Sequence, residues 1–533
     1  MTLIIPNFQD AHGRPLADLP EVGLAKMLQQ AEEPVELAFV QSSLTLKRDL
    51  QQLGLQDIPY WDVFADLQHV ESIEGLPLNV FDFPAPAGYE PFFNPSNNQV
   101  CLYKDNTLAV EITVHNQLEV ERVVYFEPDG VRRINYYSDA GFLSTTVWLN
   151  VTDQIIRQEW YTPLHQVVFW MDEAQQFQID PAFQSEFSLS TYPSLQSIIK
   201  ERYERHFHTP EHVVAAYRSG VAAEDQFHLS LPAQHMIALL EPEVHLDKVA
   251  QLKRQFPKAQ WVFPSQKLAQ RFQDEYDDDL EQVVAIEPYP TSFDPGLSNE
   301  FEAQFVYLQL RNQTEARISQ LVEGVLPELQ QDENIVLLVA GDDASRQLMQ
   351  AYQRLWIQQH LGVDVNGDEF TMYTDAAQPQ NFQTESEWLD YIDNEVIQDD
   401  VELTEADLHR FYRASLFQTQ IQFIKEQEQS SAELFQKVRL FVDMGVHADL
   451  KKQIQAISAG VPIISTTPTD LVRTGENGFY NQELADLPDQ LNYFLQDLHH
   501  WNQAVVASVD LMEEYEQEQL LERWKGVLKH GKA

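Results

Sequence analysis

Three groups of acidic or imidazole side chains have residue types that could bind metal ions. Residues 364–369 have the acidic composition of a calcium-binding loop, but the glycine follows the first aspartate by three positions instead of five. His206, His208 and His212 could present imidazole ligands, but no acidic cluster of fixed spacing accompanies them. Residues 277–279 are three consecutive aspartates. We expect residues 364–369 to form a solvated turn, the three histidines to be ordinary surface or core side chains, and residues 277–279 to lie on a charged helix face or loop. We expect no metal site at any of the three.

Motifs for covalent catalysis or phosphate binding do not stand out. The sequence contains no Gly-x-Ser-x-Gly motif and no complete P-loop motif. The single cysteine, Cys101, excludes an internal disulfide and a multi-cysteine metal site. A catalytic triad assembled from distant residues stays open at this point.

The composition is strongly acidic and otherwise typical of globular proteins. The 533 residues include 35 Lys and Arg against 83 Asp and Glu, a formal net charge of −48. Such a surface repels phosphate backbones and anionic lipids, so we expect no nucleic-acid partner and no basic membrane patch. No window approaches the roughly 18 apolar residues of a membrane-spanning helix, and the first residues lack the features of a signal peptide. We therefore expect a soluble, cytoplasmic and multidomain protein.

Strands and helices alternate in the first part of the chain and again after residue 192. Apolar runs predict strands at 3–5, 36–40, 236–240 and 260–263, and helical periodicity marks 22–28, 44–53 and 195–207. This alternation favours a parallel sheet covered by helices.

A different pattern occupies the region between these two parts. Strand-like runs separated by turn residues lie at 107–114, 118–126, 131–137, 142–150 and 155–161. Asp129-Gly130 and residues 139–141 provide the residue types that hairpin turns favour. The spacing predicts an antiparallel meander, rich in aromatic residues, instead of further βαβ units.

A second alternation of strands and helices begins near residue 300. It comprises strands at 305–310 and 335–340, helices at 318–329 and 345–356, and a regular pattern that resumes at 434–442, 449–458 and 461–465. Residues 364–400 are acidic and polar, which favours an insertion or surface excursion. An amphipathic tail at 487–527 has as its apolar face Trp501, Val505, Val509, Met512, Leu520 and Trp524.

Two stretches of this second part resemble a known architecture. In residues 457–465 a helix ends at Gly460 and a strand follows Pro462, and a glycine-containing loop continues through 470–479. Upstream, 334–343 is a strand that runs into a turn at Gly341. In order and spacing these stretches resemble the nucleotide-sugar half of glycosyltransferases with the two-Rossmann GT-B architecture. The resemblance implies a sugar-nucleotide cleft between the two halves.

The resemblance also implies that this cleft is degenerate. Retaining members of the superfamily carry two glutamates separated by seven residues, and these positions fall on His447 and Gln455. A neutral amide supports the positive charge that develops at an anomeric carbon poorly. Of the basic pair that grips the diphosphate, Arg311 aligns, whereas the expected lysine falls on Ala316, beside Arg317. The degenerate cleft therefore comprises Arg311, Arg317, Gly341, His447, Gln455 and Gly460, with no catalytic residue, cofactor or metal expected.

Further stretches extend the resemblance to nearly the full length. In order they are 54–64, 123–126 and the pair Tyr136-Tyr137 followed by 139–144. Their combination with a degenerate transferase half resembles the first of the three accessory secretory proteins of the accessory Sec system of Gram-positive bacteria. The resemblance implies a cytosolic protein without known transferase activity. Its partners would be the two other accessory proteins, a dedicated SecA motor and a serine-rich glycoprotein adhesin, with membrane contact only through the translocase.

The meander resembles the added β-domain of the transferases that glycosylate such adhesins, where this domain engages the acceptor polypeptide. Most of its aromatic residues are expected to pack in the core, but exposed rings can hold sugars and extended peptides. The candidate glycopeptide surface comprises Tyr136, Tyr137, Trp148 and Trp160. An edge strand could also pair with an extended polypeptide.

These observations predict an α/β protein with a GT-B-like pair of Rossmann-type domains and an inserted antiparallel meander. The predicted boundaries are 1–84 with 181–300, 85–180, 301–485, and helices at 486–533 that cross back to the first domain. The favoured function is a non-catalytic export component that binds the glycosylated adhesin and its sister proteins. The alternatives are an active glycosyltransferase that modifies the same adhesin from a UDP-sugar, and a sugar-binding scaffold unrelated to export.

Overall fold

The fold is described from a computed structural model of the chain. The structure describes residues 1–8, 15–70, 75–83, 88–115, 118–127, 130, 132–218, 223–276, 282–382, 384–396, 404–425 and 431–530. The chain divides into two compact units. The first unit comprises Met1–Val262, Asp279–Val284 and Lys525–Ala533, and the second comprises Phe263–Asp278 and Ala285–Trp524. The domain boundaries given above stay predictions.

The N-terminal elements follow the predicted alternation. They are β1 (Thr2–Ile5), α1 (Pro20–Gln30), β2 (Val35–Phe39), α2 (Leu46–Leu53), β3 (Tyr60–Asp62) and α3 (Val63–Leu67). All four residues of β1 are buried, as a central strand of a parallel sheet requires. Helix α2 ends where Gly54 adopts a left-handed conformation with φ of 67°. The strands and helices predicted here are confirmed.

A ten-stranded antiparallel sheet follows, with its strands in sequential order. They are β4 (Glu90–Asn94), β5 (Gln99–Lys104), β6 (Thr107–His115), β7 (Glu119–Phe126), β8 (Arg132–Tyr137), β9 (Leu143–Leu149), β10 (Ile155–Tyr161), β11 (Val167–Met171), β12 (Phe177–Ile179) and β13 (Thr191–Tyr192). The five predicted runs are strands, whereas β4, β5 and β11–β13 went unpredicted. Strand β4 contains Pro91, which lacks an N–H donor, and it lies at the sheet edge, where the missing donor costs little. Asp129 of the predicted turn lies outside the described residues.

The parallel sheet of the first part is completed after the meander. The elements are α4 (Leu195–Phe207), β14 (His212–Tyr217), β15 (His235–Leu240), α5 (Leu246–Gln255), β16 (Gln260–Phe263), α6 (Gln266–Tyr276) and β17 (Val283–Ala285). The strand order is β17-β16-β15-β14-β1-β2-β3. Strand β14, which went unpredicted, is buried along its whole length and pairs in parallel with β1.

The second unit is built around a six-stranded parallel sheet in the order β20-β19-β18-β21-β22-β23. Its elements are β18 (Gln304–Leu310), α7 (Glu315–Gln331), β19 (Ile335–Gly341), α8 (Asp343–Leu361), α9 (Asp368–Ala376), α10 (Glu385–Tyr391), α11 (Glu405–Thr419), β20 (Ile421–Phe423), α12 (Ser431–Lys437), β21 (Val438–Asp443), α13 (Leu450–Ser458), β22 (Ile463–Ser465), β23 (Gly478–Tyr480), α14 (Leu487–Leu495) and α15 (Leu498–Glu514). The last helix, α16 (Gln517–His530), begins in the second unit, and its residues from Lys525 onward belong to the first. The strands and helices predicted from 305 to 356 are confirmed.

Two predictions for the second part need correction. The described residues between 364 and 396 are not a polar surface excursion, because α9 and α10 bury Tyr373 and Trp388 in the hydrophobic core. The Trp388 indole donates a 2.7 Å hydrogen bond to the carbonyl of Ala377. The acidic residues between the apolar ones concealed this helical face. The single amphipathic tail is three helices, and Val509 of its predicted apolar face is 36% exposed.

Candidate functional site

The carboxyl ends of three neighbouring strands in the second unit carry the predicted cleft residues. Arg311 directly follows β18, Gly341 ends β19, and His447 lies in the loop between β21 and α13. Since parallel strands end at one edge of the sheet, the fold brings these positions to the same edge, where ligands of open α/β sheets bind. Gln455 lies within α13, and Gly460 follows the C-terminal end of that helix.

A buried carboxylate organises this edge. Asp443, at the end of β21, is only 1% exposed. Its Oδ2 atom accepts hydrogen bonds from the backbone N–H of Asp449 at 2.9 Å and from the Gln453 side chain at 2.8 Å, while Oδ1 accepts from the N–H of Gly445 at 3.2 Å. Gln453 in turn accepts from the Thr469 hydroxyl at 2.7 Å. These bonds tie the loop after β21 to α13.

A second carboxylate lies beside two cations. Asp449 Oδ2 is 3.2 Å from Lys452 Nζ and 3.7 Å from Arg311 Nη2. Lys452 is buried, and its ammonium also donates to Gln309 Oε1 at 2.9 Å. Gln309 accepts a further 2.7 Å hydrogen bond from the hydroxyl of Tyr307. Arg311, the aligned phosphate-binding cation, is thus engaged with a carboxylate of the protein itself.

Asp449 also closes the N-terminus of α13. Its side chain accepts a 3.2 Å hydrogen bond from the backbone N–H of Lys452 and is the N-cap of the helix. Burial alone would raise the pKa of Asp449, but Lys452 and Arg311 outweigh this effect and hold the pKa below its usual value. An ionised aspartate therefore lies where a helix N-terminus could otherwise attract an anionic ligand.

A third aspartate fixes the neighbouring loop. Asp342, the N-cap of α8, accepts hydrogen bonds from the backbone N–H groups of Ser345 at 2.9 Å and Asn312 at 2.7 Å. Burial would raise the pKa of Asp342, but these bonds outweigh it and lower the pKa. The loop after β18 is therefore tied to the end of β19.

The two positions aligned with the superfamily glutamates provide no carboxylate. His447 lies in the loop after β21, and Gln455 is partly buried on α13. The Gln455 Oε1 atom is buried without a hydrogen-bond partner. The second predicted cation, Arg317, lies in the first turn of α7, and its guanidinium donates to the carbonyl of Gln482.

The two predicted glycines have distinct physical roles. A Cβ atom at Gly341 would lie 1.7 Å from the carbonyl oxygen of Leu310, so only glycine lets β18 and β19 approach this closely. Gly460 has φ of 70° and ends α13 in the left-handed conformation, and a Cβ there would lie 3.3 Å from Val505.

The sequence did not reveal the buried side chains that organise this edge. They are Gln309, Asp443, Asp449, Lys452 and Gln453. One signal in the sequence could have indicated them. Asp443 and Asp449 lie at the two ends of the loop after a buried strand, and Asp449 stands where a helix begins.

The predicted aromatic surface of the meander is only partly accessible. Trp160 is 3% exposed and stacks on Phe169 with ring centroids 4.5 Å apart, so its assignment to a surface is wrong. Tyr136, Tyr137 and Trp148 are half-buried. Their role as a glycopeptide surface stays a prediction.

No metal centre is evident in the described part of the chain, where no group of three or more His, Cys, Asp or Glu side chains is placed to hold an ion. His206 stacks on Trp61 at 5.0 Å between ring centroids. Asp364 accepts backbone hydrogen bonds from Asn366 and Gly367 in a turn. Residues 277–279 lie outside the described residues.

The buried Asp443 predicts a specific dependence of stability on pH. Burial raises its pKa to about 6, and the nearby Asp449 carboxylate adds to the shift. Because a raised pKa favours folding only while the group is protonated, its contribution is complete below the unfolded value of 3.8 and is lost as pH rises through about 6. The free energy of unfolding, relative to an Asp443→Asn variant, should therefore fall by up to about 3 kcal/mol between pH 4 and pH 7. Urea denaturation at several pH values measures this difference, and a constant difference would contradict the prediction.

Among the described residues, no helix combines the length and apolar character needed to cross a membrane.

Two solved structures have a similar fold over nearly the whole chain. The accessory secretory protein 1,2 and 3 structure of Streptococcus pneumoniae has a TM-score of 0.71 at 17% identity, covering 100% of this chain and 99% of the other. The Glycosylation Associate Protein complex of Streptococcus agalactiae gives 0.71 at 18% identity, covering 98% and 99%.

A transferase has a similar fold. The pneumococcal O-GlcNAc transferase GtfA, solved with UDP and GlcNAc, gives a TM-score of 0.69 at 11% identity, covering 100% of this chain and 99% of the other. At such identities the likeness establishes the fold alone. The GT-B-like pair of Rossmann-type sheets with an antiparallel insert confirms the predicted fold class.

Sequence comparison identifies the family. The accessory Sec system proteins of Streptococcus gordonii and Staphylococcus aureus are 21% and 20% identical to this chain. These alignments cover 90% of this chain and 87% of the first protein, and 96% of this chain and 92% of the second. A family model described as the accessory Sec system's accessory secretory protein 1 matches residues 21–531, nearly the whole sequence. The chain therefore belongs to the family of accessory secretory protein 1 of the accessory Sec system.

Proposed function

We propose that the protein is a non-catalytic, cytoplasmic component of accessory Sec export. In this role it binds a glycosylated serine-rich adhesin, the two other accessory secretory proteins and the SecA motor. Family membership over residues 21–531 supports the export role. The pneumococcal structure that contains accessory secretory proteins 1, 2 and 3 supports the association with sister proteins.

The observation that carries the non-catalytic part is the position of Asp449. This carboxylate caps α13 and pairs with Lys452 and Arg311 at the edge where a transferase would hold a donor diphosphate. A diphosphate placed there would face Asp449 at short range and Asp443 behind it. Repulsion between like charges in a partly buried site disfavours this arrangement.

The missing glutamates support the same conclusion. Neither His447 nor Gln455 can supply a carboxylate for a ribose hydroxyl or for the charge of a glycosyl transition state. With the donor diphosphate repelled as well, binding and catalysis would both be lost. The fold is then retained for recognition, since fold alone does not imply activity.

The decisive measurement is UDP release. We expect purified protein, incubated with a panel of UDP-sugars and the serine-rich acceptor, to release no UDP above a blank without protein. An active GT-B glycosyltransferase serves as the positive control under the same conditions. UDP release that disappears in an Arg311→Ala variant would instead establish the alternative function, an active glycosyltransferase.

The export part of the proposal is tested by association. We expect the two other accessory secretory proteins and the SecA motor to co-purify with the tagged full-length chain from the native cytoplasm. Recovery of none of them would contradict the export role and favour a sugar-binding scaffold. The net charge of −48 is expected to favour basic surfaces on these partners.

A further inference from the structure

A pocket in the first unit is lined by none of the degenerate cleft residues. It forms where the loop after β2, the start of α2, and the junction of β3 with α3 meet the hairpin that joins β8 to β9. We call it the hairpin pocket, and the residues that matter for its chemistry are Leu44, Lys47, Asp62, Ser138, Asp139 and Phe142. The hairpin belongs to residues 139–144, which the sequence singled out and the proposed function does not use.

The hairpin is held rigidly against the rest of the unit. A Cβ atom at Gly141 would lie 2.1 Å from the carbonyl oxygen of Leu76, and Gly141 has φ of 83°. A Cβ atom at Gly75 would lie 1.8 Å from the carbonyl oxygen of Ala140. The two backbones therefore pack in direct contact, and glycine at both positions permits this approach.

Hydrogen bonds anchor the same hairpin to the loop after β2. The backbone N–H of Asp139 donates to the carbonyl of Leu44 at 2.7 Å, and the Asp139 side chain accepts from the backbone N–H of Arg48 at 3.0 Å. The Lys47 ammonium donates to the carbonyl of Gly75 at 3.3 Å. The pocket walls are thus preorganised, which reduces the entropic cost of binding.

The pocket presents hydrogen-bonding groups beside an apolar surface. The Ser138 hydroxyl oxygen is buried and has no hydrogen-bond partner. Asp62 Oδ1 accepts from the backbone N–H of Phe64 at 2.9 Å, and burial raises the pKa of Asp62 to about 7, with Asp139 and Asp66 adding to the shift. A buried hydroxyl without a partner is costly and indicates that a polar ligand or water completes the site.

The size of the pocket limits what it can hold. Its volume is about 40 Å³. By the same measure one water needs roughly 10–15 Å³, so the pocket accommodates about three water-sized groups. It suits two or three hydroxyl groups on the edge of a larger molecule whose remainder stays in solvent.

The charges of the pocket select among ligands. The ionised forms of Asp62 and Asp139 repel phosphate, sulfate and other anions. Because the pKa of Asp62 is about 7, this carboxyl is also partly protonated near neutral pH and can then donate a hydrogen bond. Lys47 lines the same pocket, and the described residues contain no metal-binding group, which disfavours a divalent cation. Neutral hydroxyl groups remain, since they can donate to carboxylates and accept from or donate to Ser138. Leu44 and Phe142 offer apolar contact to the ring of a sugar.

We propose that the hairpin pocket binds the hydroxyl edge of a neutral sugar carried by the glycosylated polypeptide. This inference rests on the proposed function, because it assigns the glycan of the cargo to a specific site. It assigns sugar recognition to the junction of the meander with the first parallel sheet, within the first unit, and not to the sugar-nucleotide position of the second unit.

The test compares two synthetic serine-rich peptides, one carrying serine-linked N-acetylglucosamine and one unmodified, titrated calorimetrically into the full-length protein. We expect the glycosylated peptide to bind at least fivefold more tightly. We expect Ser138→Ala and Asp62→Asn each to remove at least fivefold of its affinity while leaving the affinity for the unmodified peptide unchanged.

Both variants are designed to spare the fold. The Ser138 hydroxyl has no partner to lose, and asparagine at position 62 can still cap α3. Asp57→Asn is the matched control, because it removes one charge from an exposed position near β3 that does not line the pocket. It should leave both affinities unchanged, and thermal unfolding checks that all three variants are folded.

Two results would overturn this inference. One is equal binding of the two peptides, and the other is preferential binding of the glycosylated peptide that neither pocket variant weakens. In the second case adhesin recognition stands and lies elsewhere on the protein. Failure of the proposed function itself is read separately, from UDP release and from co-purification with the partner proteins.

Discussion

Gly341→Ala is expected to lower the free energy of unfolding by more than about 3 kcal/mol, the upper end of overpacking penalties. The added Cβ would lie 1.7 Å from the carbonyl oxygen of Leu310 and 2.8 Å from its carbonyl carbon. The obstacle is backbone of the adjacent parallel strand, so no side-chain rotation relieves it. Either β18 and β19 separate at their carboxyl ends, or the loop that carries Arg311 moves. Urea denaturation of the full-length protein measures the loss.

Gly324→Ala is the matched control in the same unit. Gly324 lies inside α7, and a Cβ there would make ordinary contacts of 3.6 Å with Pro488. Since alanine favours helix over glycine by up to about 1 kcal/mol, this variant should be neutral or more stable. Equal stabilities of the two variants would show that β18 and β19 are not packed this closely.

The position of Gly341 illustrates what the sequence could predict. An apolar run followed by Gly-Asp-Asp indicates a buried strand that ends in a turn, and β19 ends at that glycine. Local signals of this kind predicted eight of the thirteen strands that the described residues form in the two parallel sheets, whereas β3, β14, β17, β20 and β23 went unpredicted. Arg311 and His447 were identified through the resemblance to GT-B glycosyltransferases. The structure shows that both follow strands of the second sheet, whose carboxyl ends share one edge.

The charge network at that edge could not be predicted in the same way. Gln309 and Lys452 are 143 positions apart in the sequence yet 2.9 Å apart in the fold. Nothing in the pattern around Lys452 distinguishes a buried lysine from one on a solvated helix face. Only the packing of α13 against the sheet determines that this ammonium is enclosed with Asp449.

The sequence also could not predict which side chains are buried. Trp160 and Tyr161 are adjacent on β10, and both are buried, so alternation does not separate them. Residues 364–400 have many acids, and their composition concealed Trp388 and Tyr373, which fill the core. The average polarity of this segment therefore led to a wrong prediction of exposure, because a few apolar positions determine its packing.

Asp449→Ala is expected to lower the free energy of unfolding by about 3–5 kcal/mol, the cost of removing one partner from a buried ion pair. Lys452, only 7% exposed, would lose its 3.2 Å ion pair with Asp449 while its hydrogen bond to Gln309 remains. Loss of the helix cap contributes about 1 kcal/mol of the total. Asp449→Asn can still cap α13, so it should be about 1 kcal/mol more stable than Asp449→Ala and keep the rest of the loss. The difference between these variants separates the cap from the charge.

Arg311→Ala provides the contrast, because its pair with Asp449 is longer, at 3.7 Å, and Arg311 is 28% exposed in its side chain. We expect this variant to cost less than about 1 kcal/mol, as partly exposed ion pairs do. The dependence of stability on pH at acidic values provides an independent check. A lowered pKa means that the Asp449 contribution is complete above the unfolded value of 3.8 and is lost as pH falls through its folded value.

The stability difference between wild type and Asp449→Asn should therefore shrink below about pH 4. It should also decrease as pH rises through about 6, because ionised Asp443 repels Asp449 in the wild type and not in the variant. A difference that persists in acid would assign the effect to packing or capping instead of charge. An Arg311→Ala loss as large as that of Asp449→Ala would mean that Arg311, and not Lys452, is the partner that matters. In that case the aligned phosphate-binding arginine would be committed to the fold even more strongly than its 3.7 Å separation from Asp449 indicates.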